Sequence, residues 1–383
     1  MKKIVAIFLA VLMIAALLAG CGTQTNDTPS TEGGEEQNIS NRSYPFTFTD
    51  LAGTEITLEK QPETVYIVGS VQPLAAVYRY YAGTSAHMIQ CPEASQKIIG
   101  TSVFGEIWPD MLTLDTHTDD ANVEEVLALN PDVVFMTGSA SGDQYEALTN
   151  AGLTVVSFPT ASSSSGNSFD AIGTVADWLN QMATVFGDSV AADKMIEYNN
   201  SALRNIQDKL ADVQEADMPK ALIVFQLADN SLKVAGSGHY SEFWLKNTGA
   251  INAAAEIKGI GDVDIEQVMA WNPDIIYLTT FSPAMPDDFY NNTFDGFDWS
   301  QVAAVQDKQV YKIPLGSYRW YAPSCECALM LQWMASINHP ELFNDFDMVA
   351  EVTSFIETFY GVTPTEEQVK TLLNPSDASV MSH

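Results

Sequence analysis

A segment of sixteen residues occurs twice in this chain, 142 positions apart, and this repeat limits the folds that the chain can adopt. Residues 122–137 (NVEEVLALNPDVVFMT) align without gaps to residues 264–279 (DIEQVMAWNPDIIYLT), with seven identities. In each copy a short amphipathic helix is stopped by Asn-Pro, an Asp turn follows, and an apolar strand comes next. The repeat therefore predicts two lobes of similar build.

Short β-rich runs alternate with amphipathic stretches from Tyr44 onward, which is the pattern of α/β domains with largely parallel sheets. The predicted strands are Thr64–Val68, Val133–Thr137, Thr154–Phe158, Ala221–Gln226, Ile275–Thr279 and Val310–Ile313. Ligands of open α/β sheets bind outside the carboxyl ends of the strands. We therefore expect the binding residues in the loops that follow these runs.

The first residues predict export. Two lysines precede an apolar run from Ile4 to Gly20, as in a signal peptide. The Leu-Ala-Gly-Cys sequence that ends at Cys21 resembles the lipobox of bacterial lipoproteins, in which this cysteine receives the lipid. A transmembrane anchor is the alternative, although seventeen residues are marginal for crossing a bilayer. We expect an extracytoplasmic protein that is anchored to the cell membrane by lipid on Cys21.

One long helix is predicted between the lobes, over residues 191–213, where apolar residues recur at helical spacing without a proline. We expect it to make a stiff connection, so that ligand entry needs only small lobe movements. The predicted organisation is a signal peptide (1–20), a disordered tether (21–43), an N-terminal α/β lobe (44–165), a helical segment with the long bridging helix (166–218) and a C-terminal α/β lobe with terminal helices (219–383).

The charge excludes one class of partner. The chain has 17 Lys and Arg residues against 49 Asp and Glu residues, so its formal net charge is −32. A chain this acidic, with no basic cluster, repels phosphate backbones and is not expected to bind nucleic acid.

Apart from Cys21, three cysteines remain, Cys91, Cys325 and Cys327, and we expect buried unpaired thiols. A soft-metal site at the Cys-x-Cys pair is the alternative.

Motifs along most of the folded part resemble one known family. The resembling segments are 48–58 before Pro62, the two Asn-Pro-Asp blocks, 248–252, 299–310 and 333–343. In this order behind a lipobox they are similar to the substrate-binding lipoproteins of ABC importers for siderophores, haem and cobalamin. The resemblance implies two Rossmann-like α/β lobes bridged by a single long α-helix, with the ligand cleft between the lobes.

The resemblance also implies partners. It implies a monomer that captures a metal chelate and delivers it to an ABC permease and its ATPase, with ferric siderophore first among the cargoes. Cobalamin or haem in the same role, and a free transition metal or an oxyanion, are the alternatives. In this family an acidic residue on each lobe docks onto the permease, and the matching residues are Glu124 and Glu266, with Glu125 as the second choice. Alternatively, each glutamate only favours the start of its helix.

The strongest ligand-binding candidates lie in residues 316–326, directly after a predicted strand. Tyr318, Trp320 and Tyr321 interleave with Arg319 there, which suits a flat or anionic chelate: rings stack on it and the guanidinium pairs with its oxygens. The alternative is that Arg319 pairs with a local carboxylate and Trp320 packs in the core.

Other candidates follow the remaining strands. His239 and Tyr240 lie in a glycine-rich turn before an amphipathic stretch, where the amides could face an anion. Capping or surface exposure is the alternative for His239. We place the remaining ligand-binding side chains at Ser70, Gln72, Phe104 and Phe281, although small turn residues often serve only the turn.

An enzyme is the rival class. The common nucleophile, zinc-protease, phosphate-loop and dinucleotide motifs do not occur in the sequence, so we predict no catalytic residues. The five histidines are scattered, which argues against a site for a free metal ion. We therefore expect no cofactor beyond a metal chelate carried as cargo.

Overall fold

The computed structural model describes residues 42–69, 73–118, 121–138, 142–166, 168–228 and 231–375. Over these residues the chain is a mixed α/β protein of two lobes, which confirms the predicted fold class: three strands form the N-terminal sheet and six the C-terminal sheet. The predictions for Cys21, Ser70 and Gln72, like those for the signal peptide and most of the tether, lie outside the described residues.

The N-terminal lobe is built on a parallel sheet. Its strands are β1 (Phe46–Thr49), β2 (Glu55–Leu58), β3 (Val65–Val68), β4 (Cys91–Pro92), β5 (Thr116–His117), β6 (Val133–Thr137) and β7 (Val155–Phe158). Its helices are α1 (Pro73–Ala82), α2 (Glu93–Thr101), α3 (Phe104–Ile107), α4 (Val123–Leu129), α5 (Asp143–Asn150) and α6 (Ala171–Phe186). The sheet order is β3-β6-β7, all parallel, while β1 and β2 pair as an antiparallel hairpin.

The predicted long helix begins at Val190 and ends at Leu210, and is α7 (Val190–Leu210). At its amino end the Tyr80 hydroxyl of α1 donates to the Ala191 carbonyl, at 2.8 Å. Near its carboxyl end the Lys209 ammonium donates to the Leu342 carbonyl, at 2.9 Å. The two ends of one helix thus contact the two lobes, as a bridge requires.

The C-terminal lobe is built on a mixed sheet. Its strands are β8 (Lys220–Ala228), β9 (Ser231–Ala235), β10 (Ile251–Asn252), β11 (Ile260–Asp262), β12 (Ile275–Leu278) and β13 (Val310–Lys312). Its helices are α8 (Tyr240–Asn247), α9 (Ile265–Trp271), α10 (Pro286–Tyr290), α11 (Ala303–Gln306), α12 (Cys327–Asn338), α13 (Met348–Tyr360) and α14 (Glu366–Leu373). Strands β8, β12 and β13 are parallel neighbours, and β9 and β11 extend the sheet in antiparallel fashion.

The sequence repeat forms the same unit in both lobes. Helices α4 and α9 end at Asn130 and Asn272, whose φ angles of 50° and 44° lie in the left-handed region that asparagine tolerates best after glycine. The proline after each asparagine cannot continue the helix. Strands β6 and β12 follow in equivalent places.

The aspartate of each Asn-Pro-Asp block fastens the start of the neighbouring strand. Asp132 accepts hydrogen bonds from the backbone N–H of Thr64, just before β3, at 3.0 Å. Asp274 accepts from the backbone N–H of Lys220, the first residue of β8, at 2.8 Å. The two aspartates therefore set the register of β3 and β8 against the repeat strands.

The main hydrophobic core is shared by the two lobes. It runs from β3 and α1 through α6 and α7 to α12 and α13 without interruption. Two smaller cores fill the outer faces, one under α4 and α5 and one under α9 and α11. Cys91, Cys325 and Cys327 lie buried as free thiols, as predicted. Among the described helices, none combines the length and apolarity needed to cross a bilayer.

The chain returns to the N-terminal lobe at its carboxyl end. Tyr360, the last residue of α13, packs its ring against Trp108 and Phe104, with ring centroids 4.8 and 5.5 Å away. In α14 the Gln368 side-chain amide donates to the Glu106 carboxylate of α3. The lobes are therefore connected a second time, by the terminal helices.

Candidate functional site

The carboxyl ends of the parallel strands of the C-terminal lobe meet at one edge, and aromatic rings collect there. Phe225 lies near the end of β8, and Phe281 follows β12 in the neighbouring strand's loop. Their rings stack with centroids 4.9 Å apart and planes 18° from parallel. Both side chains are half-buried, so part of each ring remains accessible to solvent. This edge is where the strand pattern predicts a ligand.

His239 adds a third ring to this surface. A 2.6 Å hydrogen bond joins its Nδ1 to the Tyr321 hydroxyl, and the two rings lie parallel with centroids 5.7 Å apart. Phe169 of the other lobe stacks on the imidazole at 5.3 Å. Burial lowers the pKa of His239 to about 4, so the imidazole is neutral at pH 7. We call the half-buried rings of Phe169, Phe225, His239 and Phe281 the ring wall.

Arg319 places a positive charge behind the ring wall. Its guanidinium carbon lies 4.3 Å from the Phe281 ring centroid, a cation–π contact, and the side chain donates to the Thr280 carbonyl. Only 2% of Arg319 is exposed. Burial lowers the pKa of Arg319, which the neighbouring Tyr318 opposes, yet a guanidinium keeps its proton in proteins. A buried charge of this kind favours an anionic group on a ligand.

The ring wall sits where the two lobes touch. The Tyr240 hydroxyl at the start of α8 donates to the carbonyl of Thr160, two residues beyond β7. The Tyr240 ring also packs edge-on against Phe169, with centroids 5.3 Å apart. Both lobes therefore contribute to one surface, as a cleft between lobes requires.

Lys312 supports the loop that carries Phe281. This lysine, at the end of β13, is buried, and its ammonium donates to the carbonyls of Ser282 and Ala284 at 2.5 and 2.9 Å. These bonds hold the segment that follows Phe281 against the sheet. The backbone on the carboxyl side of Phe281 is thereby held in place.

Five of the predicted ligand-binding residues come together at this surface. They are His239, Tyr240, Phe281, Arg319 and Tyr321. Their contact with a ligand remains a prediction. Tyr318 lies beside Arg319 and is buried.

Trp320 and Phe104 lie away from the ring wall. Trp320 is fully buried, folded over Gly316, where a β-carbon would lie 2.4 Å from the indole. Trp320 therefore packs in the core, which is the alternative given in the sequence analysis. Phe104 is fully buried against Trp108 and Tyr360, so the structure places it in the aromatic core of α3 and not on a cleft surface.

Three amides of the glycine-rich turn before α8 donate hydrogen bonds within the protein. The backbone N–H groups of Gly236 and Ser237 donate to the carbonyls of Gly259 and Ile257. That of Gly238 donates to the carboxylate of Glu242, in the first turn of the helix, at 2.8 Å. The protein itself therefore supplies the acceptors for the amides of Gly236, Ser237 and Gly238, and an anion at the start of α8 stays a prediction.

Two residues of the ring wall escape sequence reasoning. Phe225 belongs to a predicted strand, and its place one residue from the predicted carboxyl end is the signal that could have found it. Phe169 precedes α6 in a polar stretch, and its contact with His239 joins segments far apart in the chain. No local pattern in the sequence marks it.

The two proposed docking glutamates occupy equivalent surface positions. Glu124 and Glu266 are the second residues of α4 and α9, and both are exposed. Asn122 and Asp264 cap the two helices by accepting backbone hydrogen bonds at 3.0 and 2.7 Å. Each helix start thus has a cap from another residue, and the exposed glutamate side chains remain available to a partner.

Two α/β lobes, a bridging helix and a ring-lined surface between the lobes define a two-lobed binding protein. The profile of the Periplasmic binding protein family matches residues 105–315, so the chain belongs to this family, the substrate-binding components of ABC importers. Such proteins act outside the cytoplasm and hand small ligands to a membrane permease and its ATPase.

Relatives and solved structures agree with this assignment. The molybdate-binding protein MolA of Haemophilus influenzae is 27% identical over 255 residues, which cover 63% of this chain and 70% of MolA. The uncharacterised ABC transporter substrate-binding lipoprotein YvrC of Bacillus subtilis is 26% identical, covering 82% and 90% of the two chains. A periplasmic solute-binding protein from Veillonella parvula superposes with a TM-score of 0.76 at 28% identity, covering 87% and 98%.

Proposed function

We propose that this protein captures a metal chelate outside the cytoplasm and delivers it to its permease, with a ferric siderophore as the first candidate and haem or cobalamin next. The observation that carries the proposal is the ring wall with Arg319 behind it. Aromatic faces bind flat, polarizable groups, and a desolvated guanidinium supports the oxygen atoms of an anionic chelate. Binding without turnover is part of the proposal, with no catalytic residue assigned.

Molybdate is the second candidate. The likeness to MolA, which is a molybdate-binding protein by name, favours it. A tetrahedral oxyanion needs hydrogen-bond donors more than aromatic faces, and the amides of Gly236, Ser237 and Gly238 before α8 are already bonded within the protein. The geometry of the described residues therefore supports a chelate better than a bare oxyanion.

The test is a titration of the purified protein, followed by the fluorescence of its seven tryptophans. The probes are a ferric trihydroxamate, a ferric triscatecholate, haemin, cyanocobalamin and molybdate, each added separately. We expect saturable quenching by one chelate. Replacing Arg319 by Ala should weaken that chelate about 10- to 100-fold, because a charge-assisted hydrogen bond is lost.

A pair of phenylalanine variants separates the two candidates. Phe225→Ala removes one stacked, half-buried ring from the ring wall, and Phe48→Ala removes a comparable ring from the β1–β2 hairpin as the control. A chelate should lose affinity only in Phe225→Ala. Saturable binding of molybdate with equal affinity in both variants would replace the chelate by the oxyanion, and no response to any probe would refute both cargo classes.

We further propose that the mature chain is a monomer held at the membrane by lipid on Cys21. The polar segment behind Cys21 supports this proposal by giving the folded part room to reach a partner in the same bilayer. Metabolic labelling with a palmitate analogue should mark the wild-type protein and not Cys21→Ala. Equal labelling of both proteins would refute the lipid anchor at this cysteine.

A further inference from the structure

One buried carboxyl group fastens both ends of the loop that carries Arg319. We call residues 316–326 the ligand loop. Glu326, its last residue, is 1% exposed and accepts hydrogen bonds from the hydroxyl and the backbone N–H of Ser317, at 2.8 and 3.4 Å. Arg319 and Tyr321 lie between these two residues. The Glu326 carboxyl group thus connects the two ends of the ligand loop.

A third hydrogen bond to Glu326 comes from the last residue of α13. The Tyr360 hydroxyl donates to Glu326 Oε1 at 2.8 Å. The ring of Tyr360 packs against Trp108 and Phe104 of the N-terminal lobe, as described above. Glu326 therefore joins the ligand loop to the aromatic core of the opposite lobe.

The ligand loop does not adopt a backbone that its sequence prefers. Arg319 has φ of 39°, in the left-handed region that is unfavourable for a residue other than glycine. Gly316, with φ of 62°, has no room for a β-carbon because the Trp320 indole lies above it. Such a conformation persists only where the surroundings impose it.

A buried carboxyl group is a costly way to hold a loop. Burial raises the pKa of Glu326, and the Tyr360 and Ser317 hydroxyls oppose that effect. An apolar residue of similar volume would avoid the desolvation of the carboxyl group. Hydrogen bonds, unlike apolar contacts, are directional, so this carboxyl group specifies one arrangement of loop and helix.

We propose that Glu326 is a positioning residue: through Ser317 and Tyr360 it holds the ligand loop in the conformation that sets Arg319 behind the ring wall, and it ties that conformation to the N-terminal lobe. This proposal rests on the proposed function, because it assigns ligand affinity to the position of Arg319. It predicts that a change at Tyr360, outside the binding surface, weakens ligand binding.

The test compares two tyrosine variants of the full-length protein. Tyr360→Phe removes the hydroxyl that donates to Glu326. Tyr198→Phe is the matched control, because its hydroxyl donates to the Glu351 carboxylate at 2.6 Å, between α7 and α13 and away from the ligand loop. Ser317→Ala, which removes the other hydroxyl partner of Glu326, is a second variant at the loop.

Two readouts are measured beside thermal stability. Hydrogen–deuterium exchange of the amides of residues 316–326 should be faster in Tyr360→Phe and Ser317→Ala than in the wild type, and unchanged in Tyr198→Phe. The dissociation constant of the probe that binds the wild type should rise about fivefold in Tyr360→Phe, as expected for one lost buried hydrogen bond, and stay constant in Tyr198→Phe.

The results that would contradict the Glu326 proposal differ from the result that would contradict the proposed cargo. Equal loop exchange in Tyr360→Phe and Tyr198→Phe would overturn the proposal and leave Glu326 a purely structural residue. Faster loop exchange with an unchanged dissociation constant would also overturn it, because loop position would not set affinity. If none of the five probes (a ferric trihydroxamate, a ferric triscatecholate, haemin, cyanocobalamin and molybdate) binds the wild type, the proposed cargo fails, and the loop exchange alone decides whether Glu326 positions the loop.

Discussion

Two residues of the site, Arg319 and His239, show how burial sets the charge that a ligand meets. Both are withdrawn from water, but the guanidinium keeps its proton while the imidazole loses it. At neutral pH the surface therefore offers one positive charge and a neutral ring with a hydrogen bond to Tyr321. The pattern suits an anionic ligand with a hydrophobic face.

His239 makes the stability of the fold depend on pH. The unfolded chain takes up a proton near pH 6.5, whereas the folded protein does so only near pH 4, so stability falls as the pH falls between these values. We expect the titration of His239 to lower the free energy of unfolding by roughly 2 kcal/mol when the pH is lowered from 8 to 5. Denaturant unfolding of wild type and His239→Gln at both pH values measures it.

The comparison at pH 8 isolates the packing effect of this substitution, because the imidazole is neutral in both states there. The wild type should then lose more stability than His239→Gln on going to pH 5. If the two proteins lose the same free energy of unfolding over this interval, His239 is not the group that titrates.

At the residue scale, a site residue is easiest to predict from the sequence when its type is rare in the chain. Arg319 is one of only 17 basic residues and follows a strand, and the structure brings it to the edge where rings collect. Phe104 is predicted for the cleft but lies in the core, because the segment before it is not a loop after a strand: Gly100 belongs to α2, and Phe104 begins α3. Phe169 joins the ring wall through a contact with His239 that no local pattern encodes.

At the scale of elements, the repeated helix and strand are the best-predicted part of the molecule. Buried runs rich in Val and Ile identify all the parallel strands of the two main sheets apart from the two-residue β10, within one or two residues at each end. The hairpin of β1 and β2 and the antiparallel strands β9 and β11 were missed. They are three to five residues long, and each contains polar residues, so none forms a continuous apolar run.

The left-handed asparagines that end α4 and α9 allow a paired prediction. Asn130→Ala should destabilise the protein by about 1 kcal/mol, whereas Asn130→Gly should be close to neutral, because glycine adopts positive φ without strain. Asn272→Gly should be less stable than the wild type, since the Asn272 side chain accepts a hydrogen bond from the Ala303 N–H at 3.0 Å that glycine cannot accept. Thermal unfolding of the four single variants measures both effects.

The control is built into this comparison, because both sites share the helix end and differ in the side-chain hydrogen bond. If Asn272→Gly is as stable as Asn130→Gly relative to the wild type, the bond to Ala303 contributes nothing. If both alanine variants are neutral, the left-handed backbone carries no strain at these helix ends.

At the scale of the whole molecule, the two lobes share one core, one bridging helix and the terminal helices. The bridge contacts α1 at one end and the loop around Leu342 at the other. This arrangement favours small rotations of rigid lobes over wide opening. The two-lobed fold and the bridging helix were predictable from the repeat and the helical spacing, but the return of α13 and α14 to the first lobe was not.

Delivery to the permease provides a prediction at this scale. Glu124→Gln and Glu266→Gln together should abolish uptake of the cargo by cells while ligand binding by the purified protein stays unchanged, because both side chains lie on the surface. Glu125→Gln, one residue further along α4, tests the second choice for the docking residue of the first lobe and should leave uptake unchanged. Uptake is measured with radiolabelled metal in cells that carry only the variant protein.

Full uptake in the double variant would remove the docking role from these glutamates and leave them as residues of the helix starts. Loss of uptake in Glu125→Gln alone would move the role to the neighbouring carboxylate in the first lobe. Loss of ligand binding in the double variant would contradict the surface position on which the prediction rests.

The return of the terminal helices has a consequence for how the chain folds. Gln368 contacts Glu106 across 262 residues of sequence, and Tyr360 completes the ring cluster around Trp108. The N-terminal lobe therefore lacks part of its packing until nearly the whole chain is available, and contacts of such long range slow folding. We expect a nascent chain that stops before α13 to populate an incomplete, protease-sensitive first lobe, so that folding is completed late, after synthesis of the last helices.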